Sequence, residues 1–258
     1  MPGKISRKSF IYTTSMGTAS VLLTSSILNL NPSPLRIKAV VFDAFTLFDP
    51  RPIFKAVEEL FPANGKQVVE TWRIKQFSYQ WLRICGKKYK NFREVTADAL
   101  DYALAKHVPF HTDNEKDLVM SKYESITAWP DVAPSLKELK ELGFSLSILS
   151  NMTAMMLRDG IQNAALNNYF DFVISTDKKQ TYKPDRDAYQ MAVEQTKLKM
   201  DEILFAPFAG WDMAGAKWFG FPTFWVDRSN DPIEKLDVEP EGTGSTLNDL
   251  VAFIKKMQ

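Results

Sequence analysis

From Ile37 onward the chain alternates between two hydrophobic rhythms. Short apolar stretches, Ala39-Val40-Val41-Phe42, Phe144 to Leu149, Phe172-Val173-Ile174, Ile203-Leu204-Phe205-Ala206 and Pro222 to Val226, read as strands. The first is unbroken and rich in β-branched residues, which suits a strand buried on both faces at the centre of a parallel sheet. Between the later strands the apolar positions take helical spacing: Pro134 to Leu142, Thr153 to Leu166, Arg186 to Thr196, Ala214 to Phe219 and Thr246 to Met257. Gly143 and Gly220 stop two of these helices, Pro134 lies near the first turn of one, and Ser245 or Thr246 would cap the last. Residues 53–129 behave differently. They carry four helical patterns and no convincing strand: Ile53 to Phe61; Lys66 to Ile84, with Val69, Trp72, Arg73, Gln76, Tyr79, Gln80 and Arg83 near one side; Phe92 to Ala105, with Val95, Ala99, Tyr102 and Ala103; and Asn114 to Ile126, with Leu118, Val119 and Tyr123.

Alternating strands and helices predict an α/β protein, a Rossmann-like parallel sheet with right-handed crossovers. Residues 36–52 and 130–258 should form one core, and residues 53–129 a lid-like four-helix insert. Residues 1–35 stand apart. Ser6-Arg7-Lys8-Ser9-Phe10 precedes a moderately apolar run, Ile11 to Leu30, and the breaker Asn31-Pro32-Ser33-Pro34. That is the layout of an export signal, and Thr, Ser and Asn within the run argue against a permanent membrane span. The segment resembles a twin-arginine signal with Lys8 in place of the second arginine, so a periplasmic or exported protein is expected; without a working leader it would be cytoplasmic.

Charge changes the picture only by exclusion. Lys and Arg number 32 against 31 acids, and no basic stripe invites nucleic acid. The single cysteine, Cys85, excludes an intramolecular disulfide, and with only His107 and His111 beside it a zinc set is not expected. Pro109 separates the two histidines, which read as ordinary surface residues, and Cys85, on a lid helix near Trp81, reads as core packing. The aromatic run Trp218 to Trp225 reads as helix-to-strand core. Six tryptophans could leave an apolar face for a second copy of the chain, a homodimer.

Candidate chemistry collects where strands end. Asp43, Ser150-Asn151, Lys183 and Asp212 should all reach the carboxyl edge of the sheet, where open α/β sheets bind ligands. Each has an ordinary explanation alone: Asp43 as a turn residue, Lys183 before Pro184 as a solvated charge, Asp212 as a helix N-cap. Together they describe a site. A lysine near Asp43 would favour its ionised form, and a positioned carboxylate can act as a nucleophile.

The motifs Asp43-Ala44-Phe45-Thr46-Leu47-Phe48-Asp49, Trp72-Arg73-Ile74-Lys75-Gln76 with Tyr79 to Arg83, Leu149-Ser150-Asn151, Tyr182-Lys183-Pro184-Asp185 with Tyr189, and Trp211-Asp212 resemble those of the haloacid dehalogenase superfamily. Within it they are similar to the type II (S)-2-haloacid dehalogenases. The resemblance implies that Asp43 attacks C2 of a 2-haloacid with inversion and that water hydrolyses the aspartyl ester to the 2-hydroxy acid. It implies halide contacts from Arg73 and Asn151, a carboxylate site at Ser150, ionisation of Asp43 by Lys183 with support from Tyr189, and water orientation by Asp212. Phe45, Gln76, Phe92 and Trp211 would shape an apolar pocket. No cofactor and no metal are implied; the partners are the small 2-haloacid and water. Superfamily phosphatases carry an aspartate where this chain has Phe45, whose side chain neither donates a proton nor binds a metal. Two departures stand out. Phe45 and Thr46 are adjacent where the family usually has an intervening glycine, and Pro207 and Ala209 replace the usual Ser and Asn before Trp211. They leave open a weakened member that binds an organic anion.

Overall fold

The protein is described by a computed structural model over residues 36–257; the leader predicted at residues 1–35 lies outside the described residues. Four parallel strands form the main sheet in the order β3-β2-β1-β4: β1 (Ala39–Phe42), β2 (Ser145–Ser150), β3 (Phe172–Ser175) and β4 (Ile203–Ala206). β1 lies between β2 and β4, with Phe42 opposite Ile148 on one side and Ala206 on the other. Side chains alternate across the sheet. Val40 and Phe42 enter one apolar cluster with Leu136 and Leu250, while Val41 enters a second with Tyr189, Ala192 and Phe205. Both faces of β1 are therefore dry, as its unbroken apolar run requires.

A single turn, α1 (Ala44–Leu47), follows β1 directly. Four helices then come before the chain returns as β2: α2 (Arg51–Leu60), α3 (Gly65–Cys85), α4 (Phe92–His107) and α5 (Asp113–Ser121). Pro52 sits in the first turn of α2, and Asn91 and Thr112 close capping boxes on α4 and α5 with Glu94 and Glu115. The remaining helices are crossovers or packing elements: α6 (Val132–Glu141), α7 (Ala154–Asn163), α8 (Arg186–Thr196), α9 (Gly210–Phe219) and α10 (Leu247–Met257). No helix among the described residues is long and apolar enough to cross a membrane.

Several local expectations are corrected. β5 (Phe224–Val226) touches β4 through a Phe205–Thr223 bridge but pairs with an unexpected β6 (Gly242–Gly244). Gly-Thr-Gly gives no apolar signal; it pairs because a Cβ at Gly242 would come within 2.8 Å of the Phe224 ring, so only glycine allows that approach. α5 stops at Ser121, and Val119 and Met120 are buried while Leu118 is 49% exposed. On α4, Leu100 and Leu104 face inward and Tyr102 is 44% exposed. α3 likewise buries Val68, Trp72, Gln76 and Gln80, leaving Arg73 exposed and Val69, Tyr79 and Arg83 half-buried. Cys85 is exposed, because α3 ends there and Gly86 turns the chain away from the core. His107 and His111 are half-buried; their rings contact the Thr71 hydroxyl and the Val108 carbonyl, each at 2.8 Å. Thr246 is the residue that caps α10, its Oγ1 accepting from the Asp249 N–H. In the aromatic run Trp218 is exposed, whereas Phe219, Phe221, Phe224 and Trp225 are buried.

Candidate active site

Asp43 stands where β1 ends. Its N–H continues the ladder to the Ala206 carbonyl at 3.1 Å, and its Oδ2 accepts from the Phe45 N–H at 2.9 Å, capping α1. The ordinary role and the chemical one coexist, because Oδ1 is free to accept from Lys183 Nζ at 2.7 Å. Lys183 is 1% exposed, and its ammonium also donates to Asp212 Oδ2 at 2.5 Å. Asp212 is not an N-cap: α9 starts after Ala209, and Asp212 lies in its first turn with its side chain turned inward. Its Oδ1 accepts from the Tyr189 hydroxyl at 2.7 Å. That approach depends on Gly215, where a Cβ would collide with the Tyr189 hydroxyl and lie 2.6 Å from Pro184.

Lys183 is thus a cation held between two carboxylates. Burial opposes its charge, but the Asp212 and Asp43 carboxylates outweigh that and raise its pKa above the ordinary lysine value. Asp212 moves the other way from a usual paired acid. Burial lifts it to about 6, because desolvation and the Asp43 charge exceed the opposing effects of Lys183 and Tyr189. Tyr189 is pushed well above 10 by burial and then by the Asp212 charge, so its hydroxyl stays a donor.

A cavity of about 230 Å³ opens above this triad. Asp43, Ser150 and Asn151 reach it from the ends of β1 and β2, Lys183 from the loop before α8 and Asp212 from the first turn of α9, with Phe45 and Trp211; Arg73, Gln76 and Phe92 reach it from α3 and α4. The residues read from sequence therefore converge, except that Tyr189 stands behind Asp212 and does not line the space. Gln76 is less free than an apolar-wall role implies: its Nε2 donates to Thr96 Oγ1 at 2.6 Å and to the Tyr123 hydroxyl at 3.3 Å. Arg73 makes no ion pair among the described residues; its guanidinium lies 5.2 Å from the centre of the Phe54 ring. A cation without a carboxylate partner among the described residues, set over an apolar wall and facing a cavity, is suited to an anion.

Sequence reading missed Phe54, Phe77, Tyr123 and Phe208 on the walls, and Ser229, Asp231 and Glu234 from the segment after β5. Phe77 packs against Trp81 and Trp211 at 6.0 and 5.5 Å, and its position one turn after Arg73 was the available signal. The segment after β5 carries no periodic pattern and offered none. Thr46 is drawn away from the cavity: its hydroxyl donates to the Ala206 carbonyl at 2.8 Å. Ala209 does line the cavity, so the strand end nearest Asp212 adds no polar side chain there.

A family model described as haloacid dehalogenase-like hydrolase matches residues 37–220. An (S)-2-haloacid dehalogenase of Pseudomonas sp. strain YL is 34% identical over 85% of this chain and 95% of its own length. One from Xanthobacter autotrophicus is 40% identical over 74% of this chain and 76% of its own. The solved structure of the L-2-haloacid dehalogenase from Xanthobacter autotrophicus with chloropropionic acid covalently bound superposes with a TM-score of 0.78 at 32% identity, covering 86% of this chain and all of that one. A helical insert between the first two strands, a carboxylate at the tip of β1 and these matches agree: the chain belongs to the haloacid dehalogenase-like hydrolases, in the branch of the (S)-2-haloacid dehalogenases.

Proposed function

We propose that the protein hydrolyses short (S)-2-haloalkanoic acids to 2-hydroxy acids through an ester on Asp43, without a metal. The observation that carries this is the Asp43–Lys183–Asp212 arrangement at a small cavity that Arg73 also lines, from α3. An Asp43 oxygen attacks C2, the carbon–halogen bond breaks, and halide leaves with its electron pair toward Arg73 and Asn151. Ser150 holds the substrate carboxylate. Water, oriented by Asp212, then attacks the carboxyl carbon of the ester and gives a proton to Asp212; the acyl–oxygen bond breaks, Asp212 returns that proton to the departing C2 oxygen to complete the 2-hydroxy acid, and the Asp43 carboxyl group, restored, loses its remaining proton to solvent. Phe45, Phe92 and Trp211, with Gln76 at the edge, exclude bulk water and so strengthen each charge contact. Residues 36–52 and 130–258 act in this scheme as the catalytic core, and residues 53–129 as its cap. Homodimer formation and export by the leader belong to the same reading and rest on sequence alone; light scattering and cell fractionation test them.

The experiment is halide release from (S)-2-chloropropionate in the presence of a chelator. The natural protein should release chloride, and Asp43→Asn should lower the rate more than ~10⁴-fold, as loss of a nucleophile does elsewhere. Activity that survives in Asp43→Asn removes the proposal. A second reading, an organic-anion binder that forms the ester but does not turn over, is favoured by Pro207 and Ala209. It predicts a stable mass increase on Asp43 and one halide per chain. A phosphatase would require magnesium-dependent phosphate release, and Phe45 offers neither acid nor metal ligand at the position concerned.

A further inference from the structure

Gln80 lies on α3, fully buried, one turn beyond Gln76, and does not line the cavity. Its Oε1 accepts from Asn151 Nδ2 at 3.0 Å, and its Nε2 has no hydrogen-bond partner in the protein. The orientation of both amides follows from one unambiguous donor. The Lys183 backbone N–H can only donate, and it donates to Asn151 Oδ1 at 2.8 Å. The Thr176 hydroxyl donates to the same oxygen at 3.3 Å. Asn151 must therefore turn Nδ2 toward α3, and Gln80 must answer with its oxygen, which leaves its own NH₂ stranded. An unpartnered amide donor in the interior is destabilising. An apolar residue would avoid that penalty but could not accept from Asn151.

We infer that Gln80 is a positioning residue for the departing halide, acting through Asn151; this rests on the dehalogenase reading above. Asn151 Nδ2 has two hydrogens. Gln80 takes one at a good distance, and the other has only the Lys183 carbonyl at 3.5 Å, at the outer limit of a hydrogen bond. That second hydrogen is available to an anion in the cavity, which would bind it more strongly than a distant carbonyl does. Gln80 thereby sets the direction of the core donor that the proposed function assigns to the leaving group. It does so from the same helix that carries Arg73, so both halide contacts are referred to α3. Trp81, the next residue, reinforces the link by donating to the Lys183 carbonyl at 3.3 Å.

The test uses the full chain with Gln80→Met, Gln80→Leu and Gln80→Glu, assayed on (S)-2-chloropropionate and (S)-2-bromopropionate. Chloride is the poorer leaving group and the stronger hydrogen-bond acceptor, so its departure depends more on an aimed donor. Gln80→Met and Gln80→Leu should lower kcat/KM on the chloro substrate roughly 10-fold, the worth of one hydrogen bond to a charged group. The loss on the bromo substrate should be smaller, so the bromo-to-chloro ratio rises. Gln80→Glu, which keeps the acceptor, should keep the natural ratio. Inhibition by added chloride should weaken in the apolar variants, and in the event that one variant does not fold the other supplies both readouts. Equal losses on the two substrates, as general loosening of the cap would produce, overturn the inference, and so does an unchanged ratio. A natural protein that releases no halide removes the dehalogenase reading and this inference together; an active natural protein with indifferent Gln80 variants removes only the inference.

Discussion

The floor and the roof of the cavity are built on opposite principles. On the floor the charged side chains answer one another: Lys183 is shared by Asp43 and Asp212, and Asp212 also holds Tyr189. Asp43 sits at the end of β1, Lys183 in the loop before α8, Tyr189 in α8 and Asp212 in the first turn of α9, beside strands β1 and β4, which have no exposed surface. On the roof Arg73 has no carboxylate partner among the described residues and rests against the Phe54 ring, amid Phe77 and Phe92. The floor has its charges oriented before any substrate arrives, so little reorganisation is needed during reaction. The roof leaves its cation without a carboxylate among the described residues and sets it against apolar surface, which suits it to an anion. Paired and unpaired charge among the described residues are thereby divided between the sheet side of the cavity and the helical insert.

The sharpest way to break this contrast is to remove the cation of the floor. Lys183→Met leaves two buried carboxylates facing each other. It should lower halide release at least ~10²-fold and destabilise the fold by about 3–5 kcal/mol, read by urea unfolding. Titration of Asp212 is the next largest effect. Its folded pKa is raised to about 6 and the proposed scheme uses its ionised form, so turnover should fall as pH drops through about 6. Stability has the opposite sign: the folded state binds this proton at higher pH than the unfolded chain, so burying the charged form costs stability at pH 7. That cost is relieved as pH falls from about 6 toward the ordinary value of 3.8. Tyr189→Phe deletes a hydrogen bond that favours the ionised carboxylate and should move the acid limb of the pH–rate profile to higher pH.

The roof should respond differently. Arg73→Met should weaken substrate use roughly 10-fold, through one lost charge-assisted contact. Because Arg73 is exposed and has no ion pair among the described residues, its unfolding free energy should change by no more than about 0.5 kcal/mol. An Arg73 variant that unfolds as readily as Lys183→Met would erase the distinction. Smallest of all, Cys85→Ser at the exposed end of α3 should leave both halide release and unfolding within error.

The sequence by itself determined the alternation of strand and helix, the helical insert after the first strand, and the strand-end position of Asp43, Ser150 and Asn151, whereas Lys183 and Asp212 lie beyond the strands, in the loop before α8 and in the first turn of α9. Those properties follow from periodicity and from where apolar runs stop, which are local. The tertiary structure alone decided who answers whom. Asp43 and Lys183 meet across 140 residues of chain, and Asn151 finds Gln80 across 71. It also decided which side of each cap helix is dry, exposing Tyr102 and Leu118 where helical spacing allowed either side, and it brought Glu234 to the cavity from a segment without pattern. β6 escaped notice for the same reason, since Gly242 and Gly244 have no hydrophobicity to read and are placed by what packs above them. A side chain's neighbours are selected by long-range packing and by the need to satisfy buried polar groups, and neither is written in the spacing of residues along one segment.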